Sequence, residues 1–124
     1  MVRKTQRQVG RERTERGRSA EKRAVQILEH FKTIGKKFPG RRIITNIEWI
    51  TQGSQEDKEG KDIILSFDDG LILPLQIKNW RTEELEKKYS TKGICFIEIR
   101  LRYGEEEWHE ENVFNAISRF LAVR

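Results

Sequence analysis

Apolar residues recur along this chain with two different periods, and each change of period marks an element. From Arg18 to Lys36, Ala20, Ala24, Ile27, Leu28, Phe31 and Ile34 follow helical spacing and predict an amphipathic helix, with Ser19 as N-cap and Gly35 as stop. Residues 42–51 are rich in Ile, Thr and Trp and predict a strand, followed by a polar loop from Gln52 to Gly60. The period then becomes two. Ile63, Leu65 and Phe67 share one face of a second strand, and Asp62, Ile64 and Ser66 share the other. Over residues 71–79, Leu71, Leu73, Leu75 and Ile77 form an apolar face opposite Ile72, Pro74, Gln76 and Lys78.

The two apolar faces fall on one side of a sheet only if the hairpin loop has an odd number of residues. Asp68-Asp69-Gly70 is such a loop, with Gly70 in the left-handed position. Phe67 then pairs with Leu71, and Asp62 lies opposite Gln76. A slip of one residue would place the Asp62 charge among apolar side chains, so the apolar pattern selects the register that gathers Asp62, Gln76 and Lys78. Pro74 cannot donate to a ladder and calls for an edge or a distortion.

Arg81 to Tyr89 reads as a short polar helix stopped near Gly93, and Ile94 to Leu101 as a strand buried on both faces. Tyr103 to Glu111 is an acidic connection, in which His109 is expected to be solvated. Asn112 to Val123 closes the chain as a helix with Val113, Phe114, Ile117, Phe120 and Leu121 on one stripe. The order α-β-β-β-α-β-α predicts an α/β fold of the α+β kind, a four-stranded mixed sheet flanked by helices. A chain of 124 residues is long enough for one core, and residues 18–124 form a single domain without internal repeats.

Charge separates the N-terminus from this domain. The chain carries 25 Lys and Arg against 20 Asp and Glu, and nine of the basic but three of the acidic residues lie between Met1 and Arg23. Residues 1–17 are therefore expected to form a flexible basic arm, in which Arg3, Lys4, Arg7, Arg11, Arg13 and Arg16, with Arg18 just beyond, suit a phosphate backbone. No apolar stretch follows these residues and no run approaches the length of a membrane span, which points to a cytoplasmic protein with no membrane partner. Cys95, the single cysteine, sits in an apolar run and is expected in the core.

Gly60-Lys61-Asp62 opening one strand, and Leu75-Gln76-Ile77-Lys78-Asn79-Trp80 closing the next, resemble the PD-(D/E)xK nuclease superfamily. Within it the chain looks most like Mrr-type restriction endonuclease domains and archaeal Holliday-junction resolvases. The similarity covers about Gly17 to Leu101 and rests on Asp, thirteen residues, then Gln-x-Lys. Gln76 stands where many members carry Glu, and the Pro that often precedes the Asp is absent. The resemblance implies a restriction-endonuclease-like αβββαβα core and a metal-dependent DNA endonuclease. Asp62, the Gln76 side-chain oxygen and the Ile77 carbonyl would hold Mg²⁺ or Mn²⁺, and Lys78 would orient the attacking water. Glu21 matches a helix-borne acid pointed at such sites, and as a plain surface carboxylate it would pair with a neighbouring cation. Glu48, Asp57 and Glu59 are weaker ligand candidates. Trp80 either packs at the domain edge, the preferred reading, or stacks on a base. Branched or junction DNA is a fitting substrate, and paired nicking of a junction favours a homodimer. A non-catalytic DNA-binding or assembly module that keeps the nuclease fold is the alternative.

Overall fold

The computed structural model describes residues 6–50, 53–55, 59–101 and 106–123. Its elements run α1 (Gln6–Ile34), β1 (Ile44–Trp49), β2 (Ile63–Phe67), β3 (Ile72–Lys78), α2 (Glu83–Thr91), β4 (Cys95–Glu98) and α3 (His109–Ala122), with a 3-10 turn, Glu106–Trp108, leading into α3. The order of elements is the expected one, in an α+β fold. Strands lie in the order β1-β2-β3-β4, the first three as an antiparallel meander and β4 parallel to β3. A parallel return needs a crossover, and α2 supplies it.

The β2–β3 hairpin takes the register that the apolar alternation requires. Ile63 pairs with Leu75, Leu65 with Leu73 and Ser66 with Ile72, and the Phe67 amide donates to the Leu71 carbonyl at 2.9 Å. Gly70 has φ +87°, a conformation that costs any residue with a Cβ. Asp68 Oδ1 accepts the Ile43 amide and ties the hairpin tip to the start of β1, while Asp69 Oδ1 accepts the Leu71 amide. Hydrogen bonding from Arg42 is the first cause that holds the Asp69 carboxyl below its usual range. Pro74 pairs with Ile64 on β2, one residue before the first β3–β4 pair, Leu75–Cys95, so its missing amide falls outside the β4 ladder.

One face of the sheet carries the core. Ile63, Leu65, Leu73, Leu75, Ile77, Cys95 and Ile97 pack with Ala20, Ala24, Leu28 and Phe31 of α1 and with Val113, Ile117 and Leu121 of α3. Cys95 is buried there, as expected. The other face is approached by α2, which has no buried residue of its own; Tyr89 stacks on Phe96 of β4 with ring centroids 6.0 Å apart. No helix among the described residues is long and apolar enough to cross a membrane.

Two expectations are corrected. Helix α1 starts at Gln6, so residues 6–17 are helical rather than a flexible arm, and Ser19 lies inside the helix rather than capping it. The segment is built largely from Gln, Arg and Glu, which favour helix, contains no Pro, and places Arg11 four residues before Glu15 and Glu12 four before Arg16. Apolar periodicity marks only the part of the helix that packs. Arg3 and Lys4 lie outside the described residues.

His109 is not solvated: it is 2% exposed and opens α3. Arg23 Nε donates to its Nδ1 at 3.3 Å, and its Nε2 lies 2.6 Å from the Arg100 carbonyl oxygen. A guanidinium only donates and a carbonyl only accepts, so this pairing calls for the tautomer with its proton on Nε2. One imidazole thus joins α1, α3 and the segment after β4. His109→Ala should lower stability by about 1–3 kcal/mol by leaving the Arg100 carbonyl and Arg23 without this partner. Urea unfolding checks this, and an unchanged midpoint would show that water replaces the ring at no cost.

Candidate active site at the open end of the β2–β3 hairpin

The polar residues singled out in the sequence meet where β2 and β3 stop pairing. Along β3, Leu71, Leu73 and Leu75 turn their backbone groups toward β2, and the alternation of a strand gives Ile77 the same direction. Strand β2 begins only at Ile63, so no ladder partner remains for the Ile77 amide. The Asp62 carboxylate takes that place, with Oδ2 accepting the Ile77 amide at 2.8 Å. The Asp62 amide meanwhile donates to the Leu75 carbonyl at 2.8 Å, and its own carbonyl accepts the Ile50 amide at 2.9 Å. Asp62 therefore bonds to the residues on either side of Gln76 instead of exchanging a ladder pair with Gln76 itself. The same alternation turns the Ile77 carbonyl into this gap.

Asp62 and Gln76 are both buried, 8% and 5% exposed. Among the described residues the Gln76 amide has no hydrogen-bond partner, and it is not among the buried polar atoms left unsatisfied, so its amide stays open to solvent or a ligand. Lys78 is half-buried at the end of β3, paired in register with Glu98 of β4. Arg100 Nε occupies the Glu98 carboxylate at 3.1 Å, and Lys78 makes no ion pair among the described residues. A cation two residues beyond Gln76 on the same strand is thus not consumed by a salt bridge among the described residues.

Glu21 reaches the same end of the sheet on the α1 side. Its Oε1 accepts the indole Nε1 of Trp49 at 3.3 Å, and Trp49 is the β1 partner of Ile63, the residue after Asp62. Glu59 pairs instead with Lys61 at 3.1 Å; hydrogen bonding from Gln55 first, then from Lys61, lowers its pKa. Glu48 is exposed on β1, and Asp57 lies outside the described residues. No group of three or more His, Cys, Asp or Glu side chains suited to a metal forms among the described residues. Trp80 is 51% exposed, just beyond the end of β3 at Lys78. Arg7, Arg11, Arg13, Arg16 and Arg18 lie on α1.

Tyr89 belongs to this site and was not singled out in the sequence. Gly60, two residues before Asp62, has φ +86°, and a Cβ there would sit 2.6 Å from Tyr89 Cε1 and 3.6 Å from Gln76 Oε1. Burial first, and the Asp62 charge second, raise the phenol pKa above its ordinary 10.0. The available signal was a lone aromatic in a polar helix facing the apolar run that follows it.

Comparison of the chain with protein-family models, curated proteins and solved structures returns no match.

Two outcomes follow from the geometry. Asp62→Ala strands the Ile77 amide and should cost about 1–3 kcal/mol, whereas Asp62→Asn keeps an acceptor oxygen and should cost less than half as much, as measured by denaturant unfolding. Equal losses would mean that the Asp62–Ile77 bond adds nothing. The raised Tyr89 pKa stabilises the fold fully below the unfolded value near 10.0, and this contribution disappears as pH rises through the higher folded value. With Tyr103→Phe leaving one tyrosine, tyrosinate absorbance should show a midpoint that falls on adding Asp62→Asn yet stays above that of the unfolded chain.

Proposed function

We propose that the protein is a metal-dependent endonuclease that hydrolyses phosphodiester bonds in DNA. The observation that carries this reading is the buried Asp62 carboxylate, fixed on the Ile77 amide where two strands part, with the Gln76 amide and, two residues further along β3, the Lys78 cation, neither of them bonded through its side chain among the described residues. Those groups fit a hard divalent cation, because Mg²⁺ keeps several waters and is commonly held through one or two carboxylates together with substrate phosphates. Mg²⁺ or Mn²⁺ would be held by the Asp62 carboxylate, the Gln76 side-chain oxygen and the Ile77 carbonyl. When bound it would supply Lewis-acid polarisation of the phosphate and of the attacking water.

The chain's own groups account for the remaining requirements. Lys78 directs a compact positive charge toward the reacting phosphate, where it orients the water and offsets charge building on phosphorus. Tyr89 and Phe96 wall the α2 side with apolar surface, which lowers the local dielectric and strengthens both effects. The basic residues of α1, carried on a helix rather than a loose arm, provide a sequence-independent hold on the phosphate backbone. The fold is a four-stranded mixed sheet flanked by helices, and a restriction-endonuclease-like core within it is part of this proposal. Branched DNA and a homodimer acting on paired strands are consistent extensions of the same reading.

A second reading draws on the neutral amide at Gln76. With a single carboxylate in the Asp62, Gln76 and Lys78 set, already accepting a backbone amide, the site also suits a binding or assembly module that keeps the fold without chemistry.

Incubation with Mg²⁺ or Mn²⁺ and plasmid, linear or four-way-junction DNA separates the two. The nuclease reading requires cleavage by the wild type, loss of at least about a hundredfold in Asp62→Asn and Lys78→Ala, and retained DNA binding in both. Removing residues 1–17 should weaken binding and reduce its dependence on salt. Binding of all three DNAs without any cleavage would leave the assembly module as the function.

A further inference from the structure

Residues from three different segments come together beside Gln76. Phe96 is its register partner on β4, Tyr89 of α2 stacks on Phe96 with an interplanar angle of 27°, and Gly60 lies against the edge of the Tyr89 ring. The position that a Gly60 Cβ would take is within 3.6 Å of the Gln76 amide oxygen and overlaps Tyr89 Cε1 at 2.6 Å. Only a glycine at φ +86° lets the backbone come this close to the ring, and the chain then runs two residues to Asp62. The three segments meet at Tyr89.

The geometry points to Tyr89 as a positioning residue of the site, whose ring, clamped between Phe96 and Gly60, fixes the Gln76 amide and the entry into Asp62. This inference rests on the endonuclease reading for its consequence in cleavage, but not for its consequence in Gln76. Three observations favour a positioning role over simple packing. Helix α2 buries no residue, so Tyr89 is not one member of a fully buried helix face. Its ring is placed over the loop that delivers Asp62 rather than over the core, which lies on the opposite face of the sheet. Finally, the Gln76 amide has no hydrogen-bond partner among the described residues, so what the protein offers to orient it is contact with its neighbours rather than a bond. Groups outside the ligand set commonly change metal affinity about ten- to a hundredfold by orienting a ligand in this way.

The ring and the hydroxyl can be separated by two variants, Tyr89→Phe and Tyr89→Ala, with thermal melting to confirm that both fold. In the metal-free protein, the two side-chain amide protons of Gln76 should keep their wild-type nitrogen–proton resonances in Tyr89→Phe and collapse toward those of a free amide in Tyr89→Ala. The affinity for Mn²⁺ should fall about tenfold or more in Tyr89→Ala and stay within about twofold in Tyr89→Phe. Gly60→Ala, which drives a methyl into the ring, should move the same Gln76 resonances. An unmoved Gln76 signal in Tyr89→Ala overturns the positioning role, whatever happens to cleavage. If instead the Gln76 signal responds as expected while wild-type protein neither binds Mn²⁺ nor cuts DNA, the positioning role stands and the endonuclease reading fails.

Discussion

The bond from the Ile77 amide to the Asp62 carboxylate determines what the rest of this end of the sheet can be. Strand β3 continues past the first residue of β2, and its next inward amide would otherwise be a buried donor with no acceptor. Such a group costs about 1–3 kcal/mol, so an acceptor must be supplied from outside the ladder. A carboxylate that fills this role has its position set by two strands and not by its own rotamer freedom. Groups held on regular elements keep their geometry better than groups on loops, so the same bond that ends the ladder also prepares a rigid polar site.

The unequal faces of the sheet explain why the site lies where it does. Helices α1 and α3 cover one face with a continuous apolar core. Among the described elements the other face meets α2, a helix whose first turn holds Glu83, Glu84 and Glu86 and which sets the Tyr89 ring on Phe96. Buried polar side chains can be accommodated at the end of such a thinly covered face, since solvent and ligands remain within reach. Asp62, Gln76 and Tyr89 occupy that margin, between the packed core and open surface.

What was legible in the sequence follows from the range of each physical signal. Period-two alternation on two adjacent strands, joined by a loop that must have an odd length, leaves one register, and Ile63–Leu75 is that register. The offset at Asp62 was not legible, because side-chain alternation says nothing about which carbonyl an amide at the end of a ladder will choose. Helix α1 extends beyond its apolar stripe because local propensity continues where packing stops. His109 was hidden by the acidic residues around it, although it lies four residues before Val113 and extends the stripe of Val113, Ile117 and Leu121 backwards. Tyr89 was hidden for another reason: its partners, Gly60 and Phe96, come from different elements, and no local pattern records a contact of that kind.

Under the endonuclease reading, the neutral amide at Gln76 changes how metal and substrate depend on each other. A second carboxylate would bind a cation more tightly but would also repel the incoming phosphate. Within the set of Asp62, Gln76 and Lys78, one carboxylate is matched by one cation before any ligand arrives. A divalent cation then gains most when a phosphate arrives with it, because the phosphate supplies the negative charge that Gln76 does not. Each ligand must therefore raise the affinity for the other by the same factor, as linkage requires. Such a site binds metal weakly in isolation and firmly in the presence of DNA, so its cation affinity is a property of the complex more than of the protein.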